Sequence, residues 1–221
     1  MTANHAQFIE FALNANVLRF GEFKTKAGRM SPYFFNAGLF NTGSLLDQLG
    51  AYYAKTLLEA KKAGRIDFDM LFGPAYKGIP LVSTVAMNLA RLGCDVPWAF
   101  NRKEAKDHGE GGVFVGYVPK AGEDVVIVED VITAGTAIRE SMAILSRLEG
   151  VRVAATFIMV DRKERGKGEK LAMEEVEEEF GFPVYSVVDV YDIIAYLEEN
   201  PANDENVARI KNYLAVNGAK A

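Results

Sequence analysis

Val125-Val126-Ile127-Val128-Glu129-Asp130-Val131-Ile132-Thr133-Ala134-Gly135-Thr136-Ala137 is the stretch that decides the fold of this chain. It opens on four β-branched apolar residues, with no polar side chain to mark an exposed pleat face. A strand that is apolar on both faces is buried on both sides, as in a parallel sheet covered by helices. Two carboxylates follow, then Thr133-Ala134-Gly135-Thr136, then Ile138, Met142, Leu145 and Leu148 at helical spacing. Gly135 permits backbone angles and a close approach that a side chain would block. Successive N–H groups in that turn, at the positive end of a helix starting near Ala137, can surround a phosphate, and the Thr133 and Thr136 hydroxyls add donors. Glu129 and Asp130 would repel a phosphate, but they suit a diol such as the 2- and 3-hydroxyls of a ribose. The order therefore reads as a sugar-phosphate site, with helix capping by the two acids as the plain alternative.

The chain has 221 residues, 49% hydrophobic and 25% charged, which suits one ordinary globular domain with a substantial core. We expect a single domain over 1–221. The one cysteine, Cys94, excludes an internal disulfide and a multi-cysteine metal site, and reads as a small buried hydrophobe in a reducing compartment. No stretch has the length of a membrane span, and the N-terminus lacks the apolar core of a signal peptide, so the expected location is the cytoplasm, with no membrane partner. A formal charge of −5 argues against general nucleic-acid binding, which rests on phosphate neutralisation.

Working outward, residues 4–17 read as a helix, with Phe8, Ile9, Ala12, Leu13 and Val17 on one side. Residues 20–26 alternate like a strand, 27–30 form a turn and 31–36 run back, which makes a hairpin whose paired Phe34 and Phe35 send one ring to each face. Together, residues 1 to about 40 are expected to form a small hood over the carboxyl edge of the sheet. Helical periodicity over 44–60, a strand at 68–72, the turn Gly73-Pro74-Ala75-Tyr76-Lys77-Gly78 and a second amphipathic helix come next. That turn offers backbone N–H groups and one cation to a second phosphate-like group, although it lacks P-loop spacing. After a short strand at 97–100, residues 101–112 have no apolar face, and they read as a solvated, mobile loop able to act as a lid. Residues 153–160 form another wholly apolar strand running into Asp161-Arg162-Lys163-Glu164-Arg165-Gly166. Arg162 would fall just beyond a strand's carboxyl end, where ligands bind in open α/β sheets. The rest of 162–170 and the acidic run 174–179 read as a charged surface excursion and a helix. A last strand at 183–188 and helices near 192–199 and 205–214 complete the chain. The fold class is α/β, with a mainly parallel central sheet flanked by helices and a small N-terminal hood.

The central stretch resembles the 5-phosphoribosyl 1-diphosphate (PRPP) motif of type I phosphoribosyltransferases, a motif specific for that superfamily and silent about the base. Four further segments, 23–36, 72–80, 101–112 and 161–166, resemble the orotate phosphoribosyltransferases of bacterial and fungal type, in that family's order and through almost the whole chain. The most diagnostic is Arg102-Lys103-Glu104-Ala105-Lys106-Asp107-His108-Gly109. The resemblance implies transfer of ribose 5-phosphate from PRPP to orotate with Mg²⁺ as cofactor, the metal carried mainly on PRPP with no direct protein ligand. It implies that Glu129 and Asp130 meet the ribose hydroxyls and that Val131, Ile132, Thr133, Ala134, Gly135, Thr136 and Ala137 surround the 5-phosphate. Tyr76 and Lys77 would meet the diphosphate. Lys26, Phe34, Phe35, Thr133 and Arg162 would bind orotate, with Lys26 also near PRPP. Arg102, Lys103, Lys106 and His108 would come from the 101–112 loop of a partner, which implies a homodimer with shared active sites. Lys106, His108, Asp130, Glu129 and Lys26 are the implied catalytic residues. A purine in place of orotate fits the Phe34–Phe35 hairpin and Arg162 less well. A PRPP-sensing regulator should lack the complete loop and carry a basic appendage.

Overall fold

The computed structural model describes residues 2–25, 28–106, 112–166 and 168–219. In chain order it has α1 (Ala3–Asn14), β1 (Leu18–Lys24), β2 (Met30–Phe35), α2 (Gly43–Lys62), β3 (Met70–Gly73) and α3 (Gly78–Arg91). Then come β4 (Trp98–Lys106), β5 (Gly112–Gly116), β6 (Asp124–Val128), α4 (Thr136–Leu145) and β7 (Arg152–Asp161). The chain finishes with α5 (Ala172–Phe180), β8 (Val184–Asp189), α6 (Val190–Glu198) and α7 (Asp204–Asn217).

The four apolar residues that open the central stretch lie in β6, and each is 0% exposed. β6 sits inside a six-stranded sheet of order β5-β4-β3-β6-β7-β8, parallel except for the edge strand β5. Val126 and Val128 join a core with Leu57 of α2 and Val85 of α3, whereas Val125 and Ile127 join Ile138 and Leu145 of α4 and Val176 of α5. Period-two alternation therefore feeds two separate apolar layers, and this is why neither pleat face could be polar.

The hood is α1 with the antiparallel β1–β2 ribbon. Phe8 stacks on Phe35 at 6.2 Å between ring centres and meets Tyr52 of α2 edge-on at 5.1 Å, so the hood shares its apolar layer with the sheet. Its β2 strand touches the chain just beyond β7, where Arg162 donates to Ser31 Oγ at 3.0 Å. No helix among the described residues is long and apolar enough to cross a membrane.

Two expectations need correction. The first helix stops at Asn14 rather than Val17: Asn16 takes a left-handed φ of 55°, and Val17 turns back to donate its N–H to Ala12 O at 2.9 Å. Asn tolerates that conformation better than most residues, so the apolar periodicity outlasts the helix. Residues 101–106 are not loop but the end of β4, and Asn101 pairs with Phe114 and Lys106 with Gly112 of β5. The ribbon lies at the edge of the sheet, and β5 is Gly112-Val113-Phe114-Val115-Gly116, a short apolar run bounded by glycines that the sequence reading passed over. Residues 107–111, at its tip, lie outside the described residues.

The aromatic contact between hood and sheet should carry measurable stability. Phe8→Ala is expected to lower the unfolding free energy by about 3–5 kcal/mol, the usual cost of emptying a buried aromatic site. Urea unfolding monitored by circular dichroism would measure it, and a loss under about 1 kcal/mol would show that α1 does not share the main core.

Candidate active site

In the sheet order, β3 connects through α3 to β4 on one side, and β6 connects through α4 to β7 on the other. The crevice beyond the carboxyl ends of β3 and β6 is therefore the switch point at which ligands bind in open α/β sheets. A cavity of about 430 Å³ lies there, lined by residues 75–77 after β3 and 129–138 after β6. The turn after β3 and the long stretch after β6, separate in sequence, thus share one pocket.

The turn after β3 is tight because it has to be. A Cβ on Gly73 would lie 2.2 Å from the Gly78 carbonyl oxygen, while the Gly78 N–H donates to Pro74 O at 2.9 Å. The peptide between Ala75 and Tyr76 is cis, and Ala75 N–H donates to the Asn101 side-chain oxygen at 2.8 Å. Asn101 is buried, so β4 braces this turn through an amide that the sequence reading passed over. The Tyr76 ring is 72% exposed, and Lys77 reaches across to Asp130, with 2.7 Å between Nζ and Oδ2.

On the β6 side, the chain leaves the sheet at Glu129, whose N–H donates to Phe157 O at 3.0 Å and whose carbonyl accepts from the buried Tyr53 hydroxyl at 2.8 Å. The Glu129 side chain accepts from the Asp130 N–H at 2.9 Å, and Asp130 Oδ1 accepts from the Val131 N–H at 2.8 Å. The residue is only 6% exposed. Burial, reinforced by the neighbouring Asp130 carboxylate, raises the Glu129 carboxyl from its ordinary 4.5 to about 8, while the Asp130 N–H and Lys77 oppose the rise. The Glu129 carboxyl thus holds its proton well above the ordinary carboxylate range.

Beyond the acids, Thr133 and Thr136 are exposed in the cavity wall and Gly135 takes a φ of 68° at the start of α4. No side chain caps α4, so its first N–H groups face the pocket without a competing acceptor from a cap. Ile132 is buried against the α4–α5 layer, which leaves its backbone to line the cavity. The turn also has an underside that the sequence reading missed. Arg139 donates to the Ala134 carbonyl and, through Nε, to the Glu179 carboxylate of α5 at 2.9 Å. Because C=O and N–H point oppositely across a trans peptide, drawing the Ala134 carbonyl to Arg139 turns the Gly135 N–H away from that guanidinium.

The remaining expected site residues are distributed elsewhere. Phe35 belongs to the core, while Phe34 stacks on Phe23 at 5.4 Å on the opposite face of the ribbon. Arg162 is not in the cavity wall; its guanidinium lies 4.3 Å over the Tyr33 ring and pairs with Glu164. Arg102 donates to Phe114 O of the same ribbon at 3.1 Å, and Lys103 pairs with Glu140 of α4 at 2.6 Å, so both are engaged within their own subunit. Lys106 ends β4; Lys26 and His108 lie outside the described residues. Among the described residues no three His, Cys, Asp or Glu side chains converge on one point.

Comparison with known proteins places this geometry in context. The phosphoribosyl transferase domain model matches residues 41–187. An orotate phosphoribosyltransferase of Pseudomonas fluorescens is 52% identical over 96% of this chain and 97% of its own length. One of Salmonella agona is 55% identical over 94% of each. The crystal structure of the orotate phosphoribosyltransferase of Francisella tularensis superposes with a TM-score of 0.85 at 41% identity, covering 96% of this chain and all of that one.

The raised Glu129 pKa has a sign that can be measured. The folded state holds the Glu129 proton more tightly than the unfolded chain, so its contribution to stability is fully present below about pH 4.5 and is lost as pH rises through about 8. Glu129→Gln has no such proton to lose. Its melting temperature is therefore expected to gain on that of the wild type between pH 5 and pH 9, and parallel curves would show that Glu129 titrates normally.

Proposed function

The chain belongs to the orotate phosphoribosyltransferases within the phosphoribosyl transferase domain family, and from that premise we propose that it transfers ribose 5-phosphate from PRPP to N1 of orotate. The products are orotidine 5'-phosphate and diphosphate, in the cytoplasmic synthesis of the pyrimidine nucleotide UMP. The observation that carries the reading is the shared cavity, where a turn bearing Lys77 and a turn bearing two acids and uncapped helical N–H groups face one another.

In this reading the 5-phosphate sits on the N–H groups and hydroxyls of 131–137, at the N-terminus of α4. The ribose hydroxyls meet Glu129 and Asp130, and the diphosphate meets Tyr76 and Lys77. Breaking the bond from C1 to diphosphate leaves positive charge on the sugar and negative charge on the leaving group. The Asp130 carboxylate answers the first, and Lys77 with the incoming Lys106 and His108 answers the second. A Mg²⁺ held by PRPP oxygens beside the Asp130 carboxylate would supply further neutralisation of the diphosphate. Orotate lies between the hood and the end of β7, with Lys26, Phe34, Thr133 and Arg162 around it and Phe35 backing the hairpin from the core.

Arg102, Lys103, Lys106 and His108 act on the partner's site in a homodimer, and their arrival there excludes water that would hydrolyse the activated sugar. For Lys103 to do so, its exposed pair with Glu140 has to open, a small cost for a solvent-screened contact.

The decisive assay is the loss of orotate's near-ultraviolet absorbance on mixing protein, PRPP and Mg²⁺. A decrease that needs all three is expected; a flat trace with PRPP binding intact would overturn the choice of base. Lys106→Ala is expected to lower turnover far more than orotate affinity, because it acts on charge that develops in the transition state. Unchanged turnover would remove it from the catalytic set. Mixing a loop-dead variant with Asp130→Asn should restore part of the activity through hybrid dimers, and no recovery after verified subunit exchange would show that each subunit closes its own site.

A further inference from the structure

The Arg162 guanidinium is held on three sides. Its Nε donates to Glu164 Oε1 at 2.8 Å and its Nη2 lies 2.6 Å from the same oxygen. Nη2 also donates to Ser31 Oγ at 3.0 Å, and the plane rests 4.3 Å from the Tyr33 ring centre. The Arg162 and Glu164 side chains are only 15% and 11% exposed. Glu164 is itself backed from behind, for Arg29 Nη1 approaches its Oε2 at 3.4 Å and donates to Arg165 O at 2.9 Å. Of the two edges that pair with a planar carboxylate, Nε–Nη2 is therefore taken by the protein's own acid, and on the Nη1–Nη2 edge Nη2 is already engaged by Ser31 Oγ. Neither Glu164 nor Ser31 takes Nη1, and the Tyr213 hydroxyl stands beside both Arg162 and Glu164. Two guanidiniums around one carboxylate leave a single excess positive charge for a ligand to match.

We propose that Glu164 is a positioning residue for the base: it fixes the Arg162 plane against Tyr33 and leaves Nη1 as the contact for a planar base bearing a carboxylate. This rests on the orotate reading above, and it makes the Arg162 contact one through a single nitrogen. Such a contact selects for a carboxylate by charge and direction. Without Glu164, Arg162 keeps its charge but loses the partner that restricts its rotamers, so substrate binding would have to order it.

Steady-state kinetics of Glu164→Ala and Glu164→Gln test the assignment. Glu164→Ala is expected to raise KM for orotate by about tenfold or more, while kcat and KM for PRPP stay within about threefold. Glu164→Gln, which keeps an acceptor oxygen, should fall between it and the wild type. Equal rises in both KM values would mean general damage and overturn the proposal, as would no change. A fall in KM for orotate would also overturn it, because Glu164 would then be a competitor for Arg162. The Arg162 Nε–H resonance in NMR spectra keeps this separate from the choice of base. Wild-type protein should show one shifted, slowly exchanging signal that Glu164→Ala loses, whether or not the wild type consumes orotate. A signal that survives in the variant would overturn the positioning role.

Discussion

Burial of β6 between two helical layers is the constraint on which the rest depends. It ends a wholly apolar strand inside the protein and delivers the next side chain, Glu129, to a place where water barely reaches. A carboxylate there is hard to ionise, and the adjoining Asp130 makes it harder. The same burial fixes the backbone of 129–130 through Phe157 and Met159 of β7, so the turn that follows starts from a rigid stem. The pocket is precise because its floor is the most immobilised part of the sheet.

What could be read from the chain alone was whatever is local in sequence. The run Val125–Val128, the acid pair and the glycine-bearing turn each carry their meaning within a few residues, and they gave both the fold class and the position of the pocket. The strands near 68, 97, 153 and 184 were legible for the same reason. The end of β4 was not, because Arg102, Lys103 and Glu104 carry no periodic apolar mark, and with it went β5, whose Val113-Phe114-Val115 had no recognised partner strand. Nor was the Arg29–Glu164–Arg162 cluster, in which Arg29 lies 135 positions from Glu164; Glu164 looked like one more charge in a solvated excursion. The raised Glu129 pKa is likewise a product of tertiary burial, invisible to a reading that saw only two neighbouring acids.

The candidate site also has an outer shelf. Arg139 ties the Ala134 carbonyl to Glu179, and a Cβ on Gly135 would press on Val176 at 3.0 Å, so α5 supports the turn from below. On the other side, Asn101 braces Ala75 from β4. Both halves of the pocket are held by residues that touch no ligand in the proposed chemistry, and both supports come from elements that follow the adjoining strands. The acidic helix that looked like mere surface thus acts as a buttress.

The Lys77–Asp130 pair has one more consequence. Each charge is already satisfied by the other before any polyanion arrives, so binding cannot simply add a lysine–phosphate contact to an idle site. In the proposed reading it would exchange one partner for another, with the lysine passing to the diphosphate and the carboxylate turning to the ribose hydroxyls. The site would then work as an ion exchanger does, its affinity the difference between two pairings, with the opened pair free to re-form as the ligand leaves.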